Sequence, residues 1–103
     1  MLIARWQIDA KFGQKQTVID LVQSWAKTVA PQIGFSADKG RLLTGSIGVK
    51  EATIVHEWMV ADLAELEKAW TALAKIEAHK KWATDLEPHI VSGSSHWEIY
   101  RVV

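Results

Sequence analysis

An α+β fold of two layers, with helices covering one face of a four-stranded antiparallel sheet, is predicted by three features of the sequence. Four short stretches alternate apolar and polar residues with a period of two, which marks half-buried strands. Two longer stretches repeat their apolar residues every three to four positions, which marks amphipathic helices. These segments follow one another as strand, helix, strand, strand, helix, strand. With right-handed crossovers this is the ferredoxin-like βαββαβ two-layer sandwich, in spatial strand order 4-1-3-2 with the first and third strands central.

Residues 2–9 form the first strand: Leu2, Ala4, Trp6 and Ile8 point one way, and Ile3, Arg5, Gln7 and Asp9 the other. Phe12-Gly13 breaks the pattern. From about residue 15 to 30 the period changes, with Val18, Val22, Trp25 and Val29 on one stripe and Lys15, Gln16, Asp20, Gln23 and Lys27 around it. Pro31 stops this helix, because proline lacks the N–H and disfavours helical geometry in the residue before it. Residues 34–40 read as a loop. Residues 41–60 are predicted as a hairpin whose first arm alternates Leu43, Gly45, Ile47 and Val49 with Leu42, Thr44, Ser46 and Gly48, and whose second arm runs from Thr53 to Val60. Asp62 followed by Glu65 is a capping box that opens the second helix, from about 63 into the high seventies. The stretch from Ala78 to Ala83 continues that helix or begins a short second one, and Pro88 closes the region. Ser92 to Ser95 make a turn, and His96 to Val103 form the terminal strand.

A chain of 103 residues fits one small domain spanning 1–103. Hydrophobic residues at 49% and charged residues at 23% are ordinary for a globular protein and exclude a predominantly disordered one. Lysine plus arginine equals aspartate plus glutamate at 12 each, which argues against a phosphate-tracking surface. An RNA-binding module of this strand order would need basic and aromatic residues on its open sheet face, where Glu57 and Glu98 stand instead, so no nucleic acid is expected. The absence of cysteine excludes disulfide staples and thiolate chemistry. No secretory leader or long apolar run is seen, so a soluble cytoplasmic protein without a membrane partner is expected. Nothing in the sequence requires a nicotinamide, flavin or metal cofactor.

Alternation assigns Ala4, Trp6, Ile8, Ile47, Ile54, His56, Trp58, Val60, Trp97 and Ile99 to the sheet face beneath the helices. The reverse face receives Arg5, Gln7, Thr44, Ser46, Glu57, Met59, Glu98 and Tyr100, mixed with Ile3, Leu42, Val55 and Val102. That much apolar area on an open face argues for a homodimer. Two such sheets facing each other would close an eight-stranded barrel and pair Arg5 with Glu57 or Glu98 in the seam.

Several stretches share these features with a known group: Ile3-Ala4-Arg5-Trp6, Arg41-Leu42-Leu43-Thr44-Gly45-Ser46, Glu57-Trp58, Leu66-Glu67-Lys68-Ala69-Trp70, His79-Lys80-Lys81-Trp82, and the ending from Val91 to Tyr100. Over essentially its whole length the chain resembles the dimeric α+β-barrel superfamily and, within it, the NIPSNAP-like small proteins. The resemblance implies a dimeric α+β barrel. It also implies kinship with small enzymes acting on hydrophobic substrates, including quinone-forming monooxygenases, muconolactone isomerases, haem-degrading enzymes and dehydratases, and with relatives of no assigned activity. The His-Pro typical of the second helix end stands here as His79-Lys80.

Six tryptophans, Trp6, Trp25, Trp58, Trp70, Trp82 and Trp97, imply a dense core, a buried interface or an apolar pocket. His56 is the candidate catalytic base, set among aromatic walls on a central strand opposite Trp6. Trp6, Trp25 and Trp58 are candidate walls of a slot for a planar aromatic ligand, and His79 a candidate ligand-binding residue from the second helix. By the resemblance, a helix histidine can also ligate haem iron. Each has a plainer alternative: a core histidine tied to a carbonyl or indole N–H, tryptophans that only fill the core, an exposed histidine at a helix end. Trp70 is assigned to the helix–sheet seam, and Trp82 and Trp97 to closing one end. Asp9 is a weaker proton acceptor. Ser94-Ser95 lacks a nucleophile-elbow frame, and His89 and His96 complete no metal-binding pattern. The expected function is a small enzyme or binder for an apolar or aromatic metabolite held in a helix–sheet pocket. In an oxygenase of this kind the substrate's own anion would react with oxygen. The alternative is a non-catalytic dimeric structural or protein-interaction module, and a cavity beside His56 is what separates the two.

Overall fold

In a computed structural model covering residues 1–103, the elements run β1 (Leu2–Asp9), α1 (Lys15–Thr28), β2 (Gly40–Thr44), β3 (Thr53–Val60), α2 (Leu63–Leu73), α3 (Glu77–Leu86) and β4 (His96–Arg101), with short 3-10 turns at Ala30–Ile33, Ala37–Lys39 and Glu87–His89. The sheet is antiparallel throughout, in the order β2-β3-β1-β4. This is the expected strand order, with β1 and β3 central. In register, Ala4 faces Trp58, Trp6 faces His56 and Ile8 faces Ile54, while on the other flank Trp6 faces Trp97 and Ala4 faces Ile99. Cross-strand partners share a face, so Trp6, His56, Trp58, Trp97 and Ile99 all lie on the helix side, as alternation requires. No helix is long and apolar enough to cross a membrane.

The hairpin departs from expectation in two ways. Leu42 pairs with His56 and Thr44 with Ile54, so Leu42 and Thr44 belong to the helix face, and Arg41 and Leu43 to the outer one. Adjacent leucines at 42 and 43 leave the face undetermined by alternation; pairing with β3 determines it. The first arm also stops at Thr44 instead of running to Val49. A Cβ on Gly45 would lie 1.8 Å from the Lys50 carbonyl oxygen, so the chain folds tightly back there, and Gly45 N–H donates to the Thr53 carbonyl at 3.0 Å. Ile47 consequently leaves the sheet and is almost fully exposed.

The second helical region is two helices. At the start of α2 the Asp62 carboxylate accepts from Glu65 N–H at 2.9 Å, and the Glu65 carboxylate reaches back to Ala61 N–H, one residue before the group a standard capping box would satisfy. α2 ends at Leu73, and extended backbone at Ile76 turns the chain into α3.

The expected dimeric α+β barrel is corrected. The chain forms one open four-stranded sheet, with β2 and β4 at opposite edges, and four twisted strands do not wrap round to meet. The charges expected to pair across a seam pair within the chain. Glu57, only 4% exposed, accepts from Arg5 Nε at 2.8 Å and also from Arg41 Nε. The Arg5 guanidinium lies 5.0 Å from the centroid of the Tyr100 ring. Burial by itself would raise the Glu57 carboxyl, but the hydrogen bonds from Arg41 and Arg5 outweigh it and hold the group below its ordinary value.

Beneath the helices the core falls into two clusters. One joins Ala4, Trp58 and Val60 to Trp25, Val29, Ala30 and Phe35, and to Leu66 and Ala69 of α2. The other joins Ile8, Ala10 and Ile54 to Val18 and Val22 of α1 and Leu86 of α3. All four stripe residues of the first helical segment are therefore buried. Trp82 packs against both clusters. α3 rests chiefly on α1 and reaches the sheet through large side chains such as Leu86 and Trp82, and a gap remains between helices and strands.

Candidate functional site

That gap is a cavity of about 570 Å³, and all six tryptophans line it. The sheet contributes Trp6 from β1, His56 and Trp58 from β3, and Trp97 from β4; the helices contribute Trp25, Trp70, Leu73, His79, Trp82 and Leu86. Phe35, Ile90 and Glu87 complete the wall from connecting segments, and no lysine or arginine takes part.

The aromatic rings touch in sequence. Phe35 lies 5.0 Å from Trp58, Trp58 lies 4.5 Å from His56, and His56 meets Trp25 edge-on at 5.6 Å between ring centroids. Trp25 continues to His79 at 6.2 Å, His79 stacks on Trp82 at 5.7 Å with 23° between planes, and Trp82 reaches Trp6 at 5.8 Å. Trp70 and Trp97 pair edge-to-face at 5.3 Å, and at 39% and 38% exposed they mark the rim. Edge-to-face and offset contacts of this kind exceed simple area burial in value by about 0.5–1.5 kcal/mol per pair.

Three indole N–H groups are fixed by protein acceptors. Trp6 donates to Ser95 Oγ at 2.9 Å, Trp25 to His79 Nδ1 at 2.9 Å, and Trp82 to the Leu21 carbonyl at 2.7 Å. Each bond holds a ring in place. His56 differs: it is 5% exposed and hydrogen-bonds to no protein atom. Since no sealed side-chain nitrogen or oxygen lacks a partner, the His56 nitrogens open onto the cavity. Burial pushes its pKa from 6.5 down to about 4, so the ring is neutral at pH 7. Burial lowers His79 as well. Because His79 Nδ1 accepts from Trp25, its neutral ring carries the proton on Nε2.

The structure thus places His56, His79, Trp6, Trp25 and Trp58 on a single wall system. His56 is not tied to a carbonyl or an indole, and His79 is half-buried against two indoles instead of standing free at a helix end. Trp70, Trp82 and Trp97 also line the cavity, beyond the roles expected of them. The spacing of His79 and Trp82, three residues apart on one helix face, is a signal that pairs them; Phe35, in a connecting segment, has no such signal. Asp9 is absent from the lining: its carboxylate accepts from the Thr53 hydroxyl at 2.7 Å and meets Lys50 at 3.5 Å. Ser94 Oγ accepts from Asp9 N–H and donates to the Val91 carbonyl, and Ser95 Oγ serves Trp6. No three or more His, Asp or Glu side chains gather where a metal ion would need them.

The fold matches solved structures along nearly its full length. A NIPSNAP family protein from Agrobacterium tumefaciens aligns with a TM-score of 0.81 at 19% identity, over 99% of this chain and 85% of that one. An uncharacterised NIPSNAP domain protein from Burkholderia xenovorans aligns with a TM-score of 0.70 at 13% identity, over 100% and 95%. A mutant of SnoaB, a cofactor-independent oxygenase from Streptomyces nogalater, aligns with a TM-score of 0.69 at 16% identity, over 98% and 91%. No protein-family model and no curated protein matches the chain. At these identities the likeness is one of fold.

Proposed function

We propose that this protein binds a planar, largely apolar aromatic metabolite in the helix–sheet cavity, with a ligand hydroxyl against His56. The observation behind this is a histidine that is nearly buried, unpartnered and open to an aromatic cavity. A volume of about 570 Å³ falls within the roughly 300–1,000 Å³ of small-molecule pockets. Walls without lysine or arginine suit a neutral or weakly acidic ligand better than a phosphorylated one.

Any catalysis would be of a particular kind. With a pKa of about 4, His56 is a weak base, and charging it among these apolar walls costs about 3 kcal/mol relative to a free imidazole. Proton abstraction becomes favourable only if the substrate anion stays beside the new imidazolium and stabilises it. An acidic phenol or enol meets that condition. The fold likeness to a cofactor-independent oxygenase supports such a reading at the level of fold. The cavity beside His56 weighs against a module whose tryptophans merely fill its core.

Titration with 2-naphthol, followed by tryptophan fluorescence and calorimetry, tests the proposal. Saturable binding of one molecule per chain is expected. His56→Phe, which keeps an aromatic ring, should weaken 2-naphthol about three- to tenfold, the value of one hydrogen bond. It should leave 2-methylnaphthalene, which has no oxygen to donate or accept, unchanged. Failure of both naphthalenes to saturate the wild-type protein would overturn the proposal.

A further inference from the structure

We infer that Trp25 and His79 together form a fixed hydrogen-bond donor that selects ligands carrying an acceptor oxygen, a carbonyl or an ionised hydroxyl, at the α3 side of the cavity. The inference rests on the cavity reading above and adds to it the chemistry of the ligand's second polar group.

A neutral imidazole is ordinarily two-faced, since either nitrogen can hold the proton. An indole N–H can only donate. The nitrogen that faces Trp25 must therefore be bare, and the proton of His79 goes to Nε2. Both members of the pair are held from several sides. Trp25 is 7% exposed and packs at 6.1 Å on Trp58 and 6.0 Å on Trp82. His79 stacks on Trp82, whose own N–H is tied to the Leu21 carbonyl. Turning the imidazole over would break the Trp25 bond and leave a donor facing a donor. Its Nε2–H bonds to no protein atom and is not sealed, and His79 is one of the residues that line the cavity.

His56, by contrast, has no protein partner on either nitrogen and can present whichever tautomer a ligand requires. The two imidazoles approach the same Trp25 ring from different layers, at 5.6 and 6.2 Å. One wall is thus adaptable and the other is set. The ligand class this recognises is a planar aromatic molecule with a hydroxyl directed at the sheet and an acceptor oxygen directed at α3.

Long-range proton–nitrogen NMR on the full chain reads the tautomers directly. His79 should appear solely as the Nε2–H form at pH 7.5, and Trp25→Phe should release it to a mixture of both. A wild-type Nδ1–H form, or a tautomer indifferent to Trp25→Phe, would overturn the assignment. Binding supplies a second reading that does not depend on that variant folding. 2-Acetylnaphthalene and the similarly shaped 2-ethylnaphthalene differ in one carbonyl. His79→Phe should cost the acetyl compound about three- to tenfold and the ethyl compound less than twofold. Equal losses, or none, overturn the donor role alone. Failure of both compounds to bind the wild-type protein overturns the cavity reading and this inference with it.

Discussion

His56 shows what local alternation can and cannot settle. Its place beneath the helices follows from sharing a strand face with Ile54 and Trp58. Its lack of a partner does not, because that depends on side chains from α1 and α3 meeting one another instead of meeting it. The consequence is measurable. The folded ring titrates near pH 4, against 6.5 when free. Between these values the unfolded chain takes up a proton that the folded chain refuses. The neutral ring's contribution is therefore complete above about pH 6.5 and lost as pH falls to about 4, an amount of about 3 kcal/mol. Denaturant unfolding of wild type and His56→Phe between pH 7 and 4 should show the wild type losing about that much more stability. Parallel profiles would mean that the ring is not buried in its neutral form.

At the scale of elements, β2 and the turn after α2 were the parts least legible in the sequence. A glycine-rich arm with two adjacent leucines has no unambiguous face, and pairing with β3 chooses one. The break between α2 and α3 contains no proline or glycine. Beyond it α3 packs on α1, a tertiary contact that the local pattern does not record. Gly40 shows why a small residue begins β2: a Cβ there would lie 2.4 Å from the Trp58 ring. That ring is 3% exposed and wedged between Phe35 and His56, so it has little room to retreat. Gly40→Ala should therefore cost about 1–3 kcal/mol in urea unfolding, as overpacking does. It should also perturb the tryptophan fluorescence of the cavity. A neutral substitution would show that the Trp58 ring does not lie across this edge strand.

For the whole molecule, strand order and the composition of the central strands were readable because period two and period 3.6 are local properties. The assembly was not. The apolar residues of the outer sheet face suggested a seam, yet the buried charge there, Glu57, is satisfied by Arg5 and Arg41 of its own chain. The concentration of tryptophan was equally ambiguous, since a packed core and a lined pocket draw on the same residues. What decides between them is a global feature, the gap left where α3 leans on α1 and the large rings span the distance without filling it. The fold is shared with NIPSNAP structures and with an oxygenase, a likeness of architecture alone.

The decisive measurement is a crystal structure of the protein grown with 2-naphthol. Density for the ring system should lie between the Trp58 and Trp82 walls, with the hydroxyl oxygen within hydrogen-bonding distance of a His56 nitrogen. Indoles collapsed onto His56 with no space for a ligand, or naphthol seated only on the outer surface, would contradict the central claim that these rings enclose a usable site.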